Sequence, residues 1–245
     1  MNLLYVIIGL IILFGASMAF VLFGSEDIDM TNYFNECIPG PDRNLNGCDF
    51  NSQELTHITF ESSDLRNANF AGSKVNDVKF KNADLRNTNF SFANLMGADL
   101  RGSNLNGAML RNVDITRANL MGADLRGSNL NGAIIDHTII RDVNLTGASL
   151  VKVIMTGSDL NNSIFVDTNL SFSNLTNSVF RNANLTNINL QNTDLTGVNF
   201  ESSDLTGANL VGAIFDDACF IGANLTNIIL SEGINVDDLN INCKK

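Results

Sequence analysis

Every fifth residue from position 45 to position 230 is large and apolar. These 38 positions hold 23 Leu, 10 Phe, 3 Ile, Val75 and Met155, and the register never slips. A second restriction sits two residues earlier: between positions 58 and 228 all 35 such sites are Ala, Ser, Thr, Val or Ile. The residue just before the large one is most often Asn or Asp, as in Ala98-Asp99-Leu100 and Ala208-Asn209-Leu210. A period of five fits neither the helical period of about 3.6 residues nor the alternation of a strand. Two inward positions separated by one outward residue imply a short extended piece. The Gly, Asn and Ser residues that follow turn the chain. A short strand and a turn repeated this often wind into a solenoid, in which no unit buries its apolar residue alone and stability comes from stacking.

This pattern resembles the pentapeptide-repeat family, and the resemblance covers residues 45–230 without interruption. It implies an all-β fold, a right-handed quadrilateral parallel β-helix with four units to each coil. The large residue and the small one two before it would then point inward, and the other three positions outward. With four units per coil, the 38 units make a rod of about 9–10 coils, roughly 45 Å long at the usual strand spacing. Residues 20 apart should stack, which would place Phe60, Phe80, Phe180, Phe200 and Phe220 in one column and Phe50, Phe70 and Phe90 in the opposite one. Residues 93–108 recur identically as residues 118–133, an offset of 25 that rotates the copy by one face. A surface that accepts such a copy is selected for repetition and solubility rather than for one precise binding pattern.

The first 24 residues interrupt this picture. Residues 3–23 carry no charge and, as a helix, would span roughly 30 Å, the thickness of a hydrocarbon core. A transmembrane anchor is the expectation. A cleaved export signal is the competing reading, because Ser17-Met18-Ala19 offers a small-x-small site. The apolar run continues past that site, however, and no basic residue precedes Arg43. For the same reason the positive-inside rule does not orient the segment. The organisation read from the sequence is an anchor at 1–24, a linker and N-cap at 25–44 with Pro39-Gly40-Pro41, the β-helix at 45–230, and a C-terminal cap at 231–245, where the register is lost.

Four cysteines sit in pairs at the two ends, Cys37 with Cys48 and Cys219 with Cys243. Disulfides would staple the caps, where a solenoid frays and exposes its backbone edge. Such bonds persist in oxidising compartments, which favours a single-pass membrane protein with its repeats outside the cytoplasm. Unpaired thiols are the alternative.

Charge narrows the partners. Fifteen basic and 26 acidic residues give a net charge of −11, which disfavours direct nucleic-acid binding. Asp-Leu-Arg recurs at 64–66, 84–86, 99–101 and 124–126, setting opposite charges side by side. The distal part is the more acidic, through Asp194, Glu201, Asp204, Asp216 and Asp217. No nucleophile setting, cofactor motif or metal constellation stands out. Asp42-x-Asn44-x-Asn46-Gly47 resembles the start of a calcium loop, but Leu45 and Phe50 already belong to the repeat. His57 and His137 read as surface residues four coils apart, and the Asn-Leu-Thr strings at 144, 174, 184 and 224 arise from the consensus itself. The expected function is therefore a non-enzymatic, membrane-anchored rod that binds another protein or a cell-surface component, or plays a structural role there. The alternative follows from the family resemblance: an acidic mimic of duplex DNA that binds a DNA-processing enzyme such as gyrase.

Overall fold

A five-residue unit leaves most of its backbone donors and acceptors without local partners, and burial forbids leaving them so. The chain satisfies them by winding. In the computed structural model, which describes residues 37–236 and 239, every bridge residue pairs in parallel with the residue 20 positions later, from Asn44 with Asp64 to Asn209 with Ile229. Four units therefore complete one coil. The chain divides at Glu36/Cys37 into two units, and the second, Cys37–Lys245, holds the solenoid. The anchor expected at residues 3–23 lies outside the described residues. No helix among those described is long and apolar enough to cross a membrane.

Most sides of the coil share one local geometry. Leu100 donates its N–H to the carbonyl of Asn119, and Asn119 donates in turn to the carbonyl of Ala98, at 2.7 and 2.9 Å. The next three residues turn: Ser103 N–H reaches back to Leu100 C=O at 3.2 Å, with Gly102 between them at φ 63°. A closed turn with positive φ at its third residue is a type II turn, which explains why Gly and Asn crowd that position. We name the four faces after the inner residues of the first coil: the Leu45, Phe50, Leu55 and Phe60 faces.

The core is the column of inward residues along the axis. Leu65, Phe80, Leu105, Leu130, Met155 and Leu195 are all essentially inaccessible. The Phe columns expected from the 20-residue period are present. Phe50 stacks on Phe70 at 4.7 Å and Phe70 on Phe90 at 4.9 Å, while Phe60 meets Phe70 edge-on at 5.6 Å. Further on, Phe180, Phe200 and Phe220 stack at 5.4 and 5.2 Å. The axis fills by alternating stacked and edge contacts, the two favoured ring geometries.

Buried Ser and Thr residues do more than save space. The turn between Ile140 and Val143 is open, and Ser163 in the next coil bridges it. Ser163 Oγ accepts from Val143 N–H at 3.1 Å and donates to Ile140 C=O at 2.5 Å. Ser158 does the same for Thr138 and Ile135, and Ser173 for Val153 and Leu150. Among the described residues no buried side-chain polar atom lacks a partner. Winding also begins one unit before the apolar register. Asp42 turns at φ 51° and donates to Glu61 C=O, and Gly40 C=O accepts from Ser63 Oγ. At the far end the inward residues Phe215, Leu225 and Leu230 are only partly buried, and Leu239 packs against the cluster.

Leu125 and Ala123 are 1% and 2% exposed. Leu125→Ala is expected to cost about 2–5 kcal/mol through the cavity it leaves. Ala123→Leu should cost about 1–3 kcal/mol through overpacking. Ser163→Ala strands a buried donor and acceptor, at about 1–3 kcal/mol. Arg126→Ala should leave the denaturation midpoint almost unchanged. Chemical denaturation of the four variants checks the set, and a larger loss for Arg126→Ala than for Leu125→Ala would reverse the inward and outward assignment.

Candidate functional surfaces

The outward positions form ladders, and the ladders determine the charge pattern. Arg66, Arg86, Arg101 and Arg126 each reach back two residues to Asp64, Asp84, Asp99 and Asp124. Each pair is a two-point contact, with Nε–Oδ1 distances of 2.7–2.9 Å. The same carboxylates accept the Arg backbone N–H, closing an Asx turn. The Arg hydrogen bond holds each of the four carboxyls below the ordinary 3.8, against an opposing desolvation effect. Two of these pairs belong to the duplicated segment. Asp99–Arg101 lies on the Phe60 face and Asp124–Arg126 on the Leu45 face, so the copy is rotated by one side of the square.

The five distal carboxylates do not share a surface. Asp194, Asp216 and Asp217 lie on the Leu55 face, Asp204 on the Leu45 face and Glu201 on the Phe60 face. Glu201 pairs with Arg181 at 2.8 Å. Asp194 and Asp204 accept hydroxyl hydrogen bonds from Thr196 and Thr206, and the Thr196 bond holds the Asp194 carboxyl below its usual value. His57 and His137 occupy one exposed corner column at φ 60° and 50°. Residues 42–53 form the first sides of the solenoid, with Leu45 and Phe50 buried. Among the described residues no group of three His, Cys, Asp or Glu is placed to hold a metal ion.

The cysteines frame the two ends. Cys37 and Cys48 are joined, with their Cα atoms 5.5 Å apart, beside the first turn. Cys219 is also disulfide-bonded and almost fully buried. Cys243, its expected partner, lies outside the described residues.

Residues 20 apart share a face, and the four faces differ in charge. Between residues 51 and 231 the outward positions of the Phe50 face hold no Asp or Glu. The other three faces hold Asp84, Asp114 and Asp159 among others. The Phe50 face carries a shallow depression lined by Arg111, Asn112, Asn131, Gly132, Val151 and Lys152. No salt bridge among the described residues reaches Arg111 or Lys152.

These observations define a class: a five-residue solenoid with four units per coil and a solid core. Residues 33–110 match the Pentapeptide repeat region family. Residues 118–157, 163–201 and 193–231 match the family of Pentapeptide repeats in eight copies. The chain belongs to the pentapeptide-repeat family and winds as a right-handed β-helix. Among solved structures it is similar to HetL, a pentapeptide repeat protein involved in heterocyst differentiation regulation from the cyanobacterium Nostoc sp. strain PCC 7120. The two are 26% identical over 78% of this chain and 88% of HetL, with a TM-score of 0.54. It is also similar to full-length QnrB1, a plasmid-mediated fluoroquinolone resistance protein, at 21% identity over 75% of this chain and 94% of that one, with a TM-score of 0.42. A thylakoid-lumen pentapeptide repeat protein of Arabidopsis thaliana is 36% identical over 42% of this chain and 68% of its own length, with a TM-score of 0.28. A search among curated proteins finds no match.

Two expected outcomes follow from this chemistry. A carboxyl whose folded pKa lies below its unfolded value stabilises the fold above that unfolded value, and the stabilisation disappears as pH falls through the folded one. The thermal midpoint should therefore be level above about pH 5 and fall below about pH 4. Replacing Arg66, Arg86, Arg101 and Arg126 by Gln should flatten that fall. Secondly, alkylation of native protein without reductant should label none of the four cysteines. Reduction should lower the unfolding midpoint, each bond being worth about 2–4 kcal/mol.

Proposed function

We propose that the chain is a non-enzymatic rod tethered to a membrane by residues 3–23, with its repeats outside the cytoplasm. There its outer surface engages another protein or a cell-surface component. The single observation that carries this reading is the construction of the surface. The interior is filled by stacked Leu and Phe, and the exterior repeats Asn, Asp and Thr ladders around a shallow depression. Such a surface presents area and pattern to a macromolecule rather than a site for chemistry. The stapled Cys37–Cys48 end supports an oxidising compartment, and the length of the uncharged segment supports an uncleaved anchor. The Leu55 face, where Asp114, Asp136, Asp194 and Asp216 outweigh Lys74 and Arg117, suits a basic partner.

A DNA mimic needs a continuous acidic stripe, because its partner's groove is basic along its length. On this chain four Asp residues of the Leu45 and Phe60 faces are neutralised by the adjacent Arg, and the Phe50 face carries no carboxylate between residues 51 and 231. These features favour the scaffold reading over gyrase binding.

The test uses the full chain in its own cells. An impermeant amine reagent applied to intact cells is expected to label the exposed Lys74, Lys79 and Lys81, and the protein should stay with the membrane through an alkaline carbonate wash. Labelling only after lysis would place the repeats in the cytoplasm. Salt-sensitive inhibition of gyrase supercoiling by the purified chain would then carry the DNA-mimic reading instead.

A further inference from the structure

The Phe50 face differs from the other three in ways that neither the turn nor the core requires. Its corner column holds Phe92, Asn112, Gly132, Lys152 and Phe172 in successive coils. Phe92 and Phe172 are 68% and 56% exposed, the two most exposed large apolar side chains among the described residues. Both sit at positive φ, 61° and 60°, where the turn favours Gly or Asn and where a bulky side chain is an outlier. A Phe at this position stabilises neither the turn nor the axis, so its contribution lies outside the fold. Exposed Met109 on the same face, and Ile134 and Ile154 on the adjoining Leu55 face, extend the apolar margin around the column. Arg111 and Lys152, without ion-pair partners among the described residues, stand between the two rings along the rod.

We propose that this edge lies on a lipid surface, with Phe92 and Phe172 inserted at the headgroup boundary and Arg111 and Lys152 paired with lipid phosphates. The inference rests on the reading of residues 3–23 as a membrane anchor. Aromatic rings that enter the interface beside basic side chains that reach the phosphates are what peripheral membrane contact requires. The rings stand four coils apart, about 19 Å along the axis, so both touch one surface only when the rod lies along it. Between the two rings the charge of the edge is mixed, with the cations in excess. On the contacting edge the Phe50 face carries no carboxylate between residues 51 and 231, while the adjoining Leu55 face sets Asp114 in the same ladder as Ile134 and Ile154. Between the rings Arg111 and Lys152 therefore face one carboxylate beside the corner. The opposite face is removed by roughly the 10 Å between packed sheets, more than the Debye length of about 8 Å at physiological salt.

Contact through two rings is weak by itself. A tether at residues 3–23, on the reading proposed above, would make that contact intramolecular and strengthen it without added area. A second copy of the chain fits this edge poorly, since its own edge would bring Arg111 and Lys152 against the same cations. A nucleic acid would find only two cations for its phosphates. An acidic peptide meets the same charges, and the apolar segment in the same chain favours lipid over it.

The chain contains no Trp, so one introduced Trp reports its own depth. The full chain is reconstituted into vesicles of phosphatidylcholine with a minor share of phosphatidylglycerol, with and without brominated acyl chains. Phe92→Trp and Phe172→Trp are expected to lose emission to the bromines. Asn162→Trp, exposed at the corner diagonally across the rod, should not. Adding Arg111→Glu and Lys152→Glu should restore the emission of both edge reporters. The double variant Phe92→Gly and Phe172→Gly should unfold at a temperature no lower than the parent, and a clear drop would make the rings structural and overturn the proposal. Failure to float with vesicles after a carbonate wash would remove the anchor reading and this inference with it. Flotation with equal quenching at positions 92, 162 and 172 would remove the inference alone. Edge reporters that ignore the bromines but shift when a soluble Glu-rich peptide with two Phe residues is added would assign the edge to a peptide instead.

Discussion

Each coil passes its backbone hydrogen bonds to the next, twenty residues along, and every other property of the solenoid follows from that handover. Asp64 donates to the carbonyl of Arg43, Leu65 donates to the carbonyl of Asp84, and the pattern continues without a missed step through Ile229. Such a ladder tolerates no coil of nineteen or twenty-one residues, because a shift by one residue would carry polar side chains onto the axis. The constraint explains the unbroken register of large apolar residues and the closeness of the Phe stacks. It also explains why Ser and Thr appear inside. Where a turn opens, as between Ile140 and Val143, a hydroxyl from the next coil supplies the missing donor and acceptor.

The same handover turns sequence spacing into surface geography. Residues two apart lie side by side on one face, so Asp-Leu-Arg makes a paired charge. Residues 20 apart lie one above the other, so a face has its own composition. The duplicated segment, offset by 25 residues, carries its ion pair from the Phe60 face to the Leu45 face. Against that indifferent repetition, the absence of carboxylates from one face over nearly its whole length stands apart. So does the pair of Phe residues at φ values that suit Gly.

Much of this was legible in the sequence, because a five-residue period admits few interpretations. The four-unit coil, and with it the Phe columns, came from the resemblance to the pentapeptide-repeat family, whereas the inward residues were readable from spacing. The start of winding was not: Gly40 occupies the inward position with no side chain, so a count of apolar residues begins one unit late. The hydroxyl bridges were missed because Ser and Thr at the small positions look like space-savers until the turns are seen to open. The distal carboxylates looked like one acidic surface along the chain, yet the winding distributes Asp194, Glu201 and Asp204 over three faces. Conversely, the acid-free face was present in the sequence throughout, but visible only after sorting by twenty rather than by five.

The register is tested most directly by comparing the unfolding midpoints of two deletions. One removes the complete unit 126–130, and the other removes the four residues 126–129. The expected result is cooperative unfolding of the first with a modestly lowered midpoint, since every later residue keeps its inward or outward role and only rotates by one face. The second should lose cooperative unfolding, because most later units, from Asn144 and Ser149 onward, would turn a polar residue toward the axis. Equal tolerance of the two deletions would contradict the twenty-residue register and the surfaces derived from it.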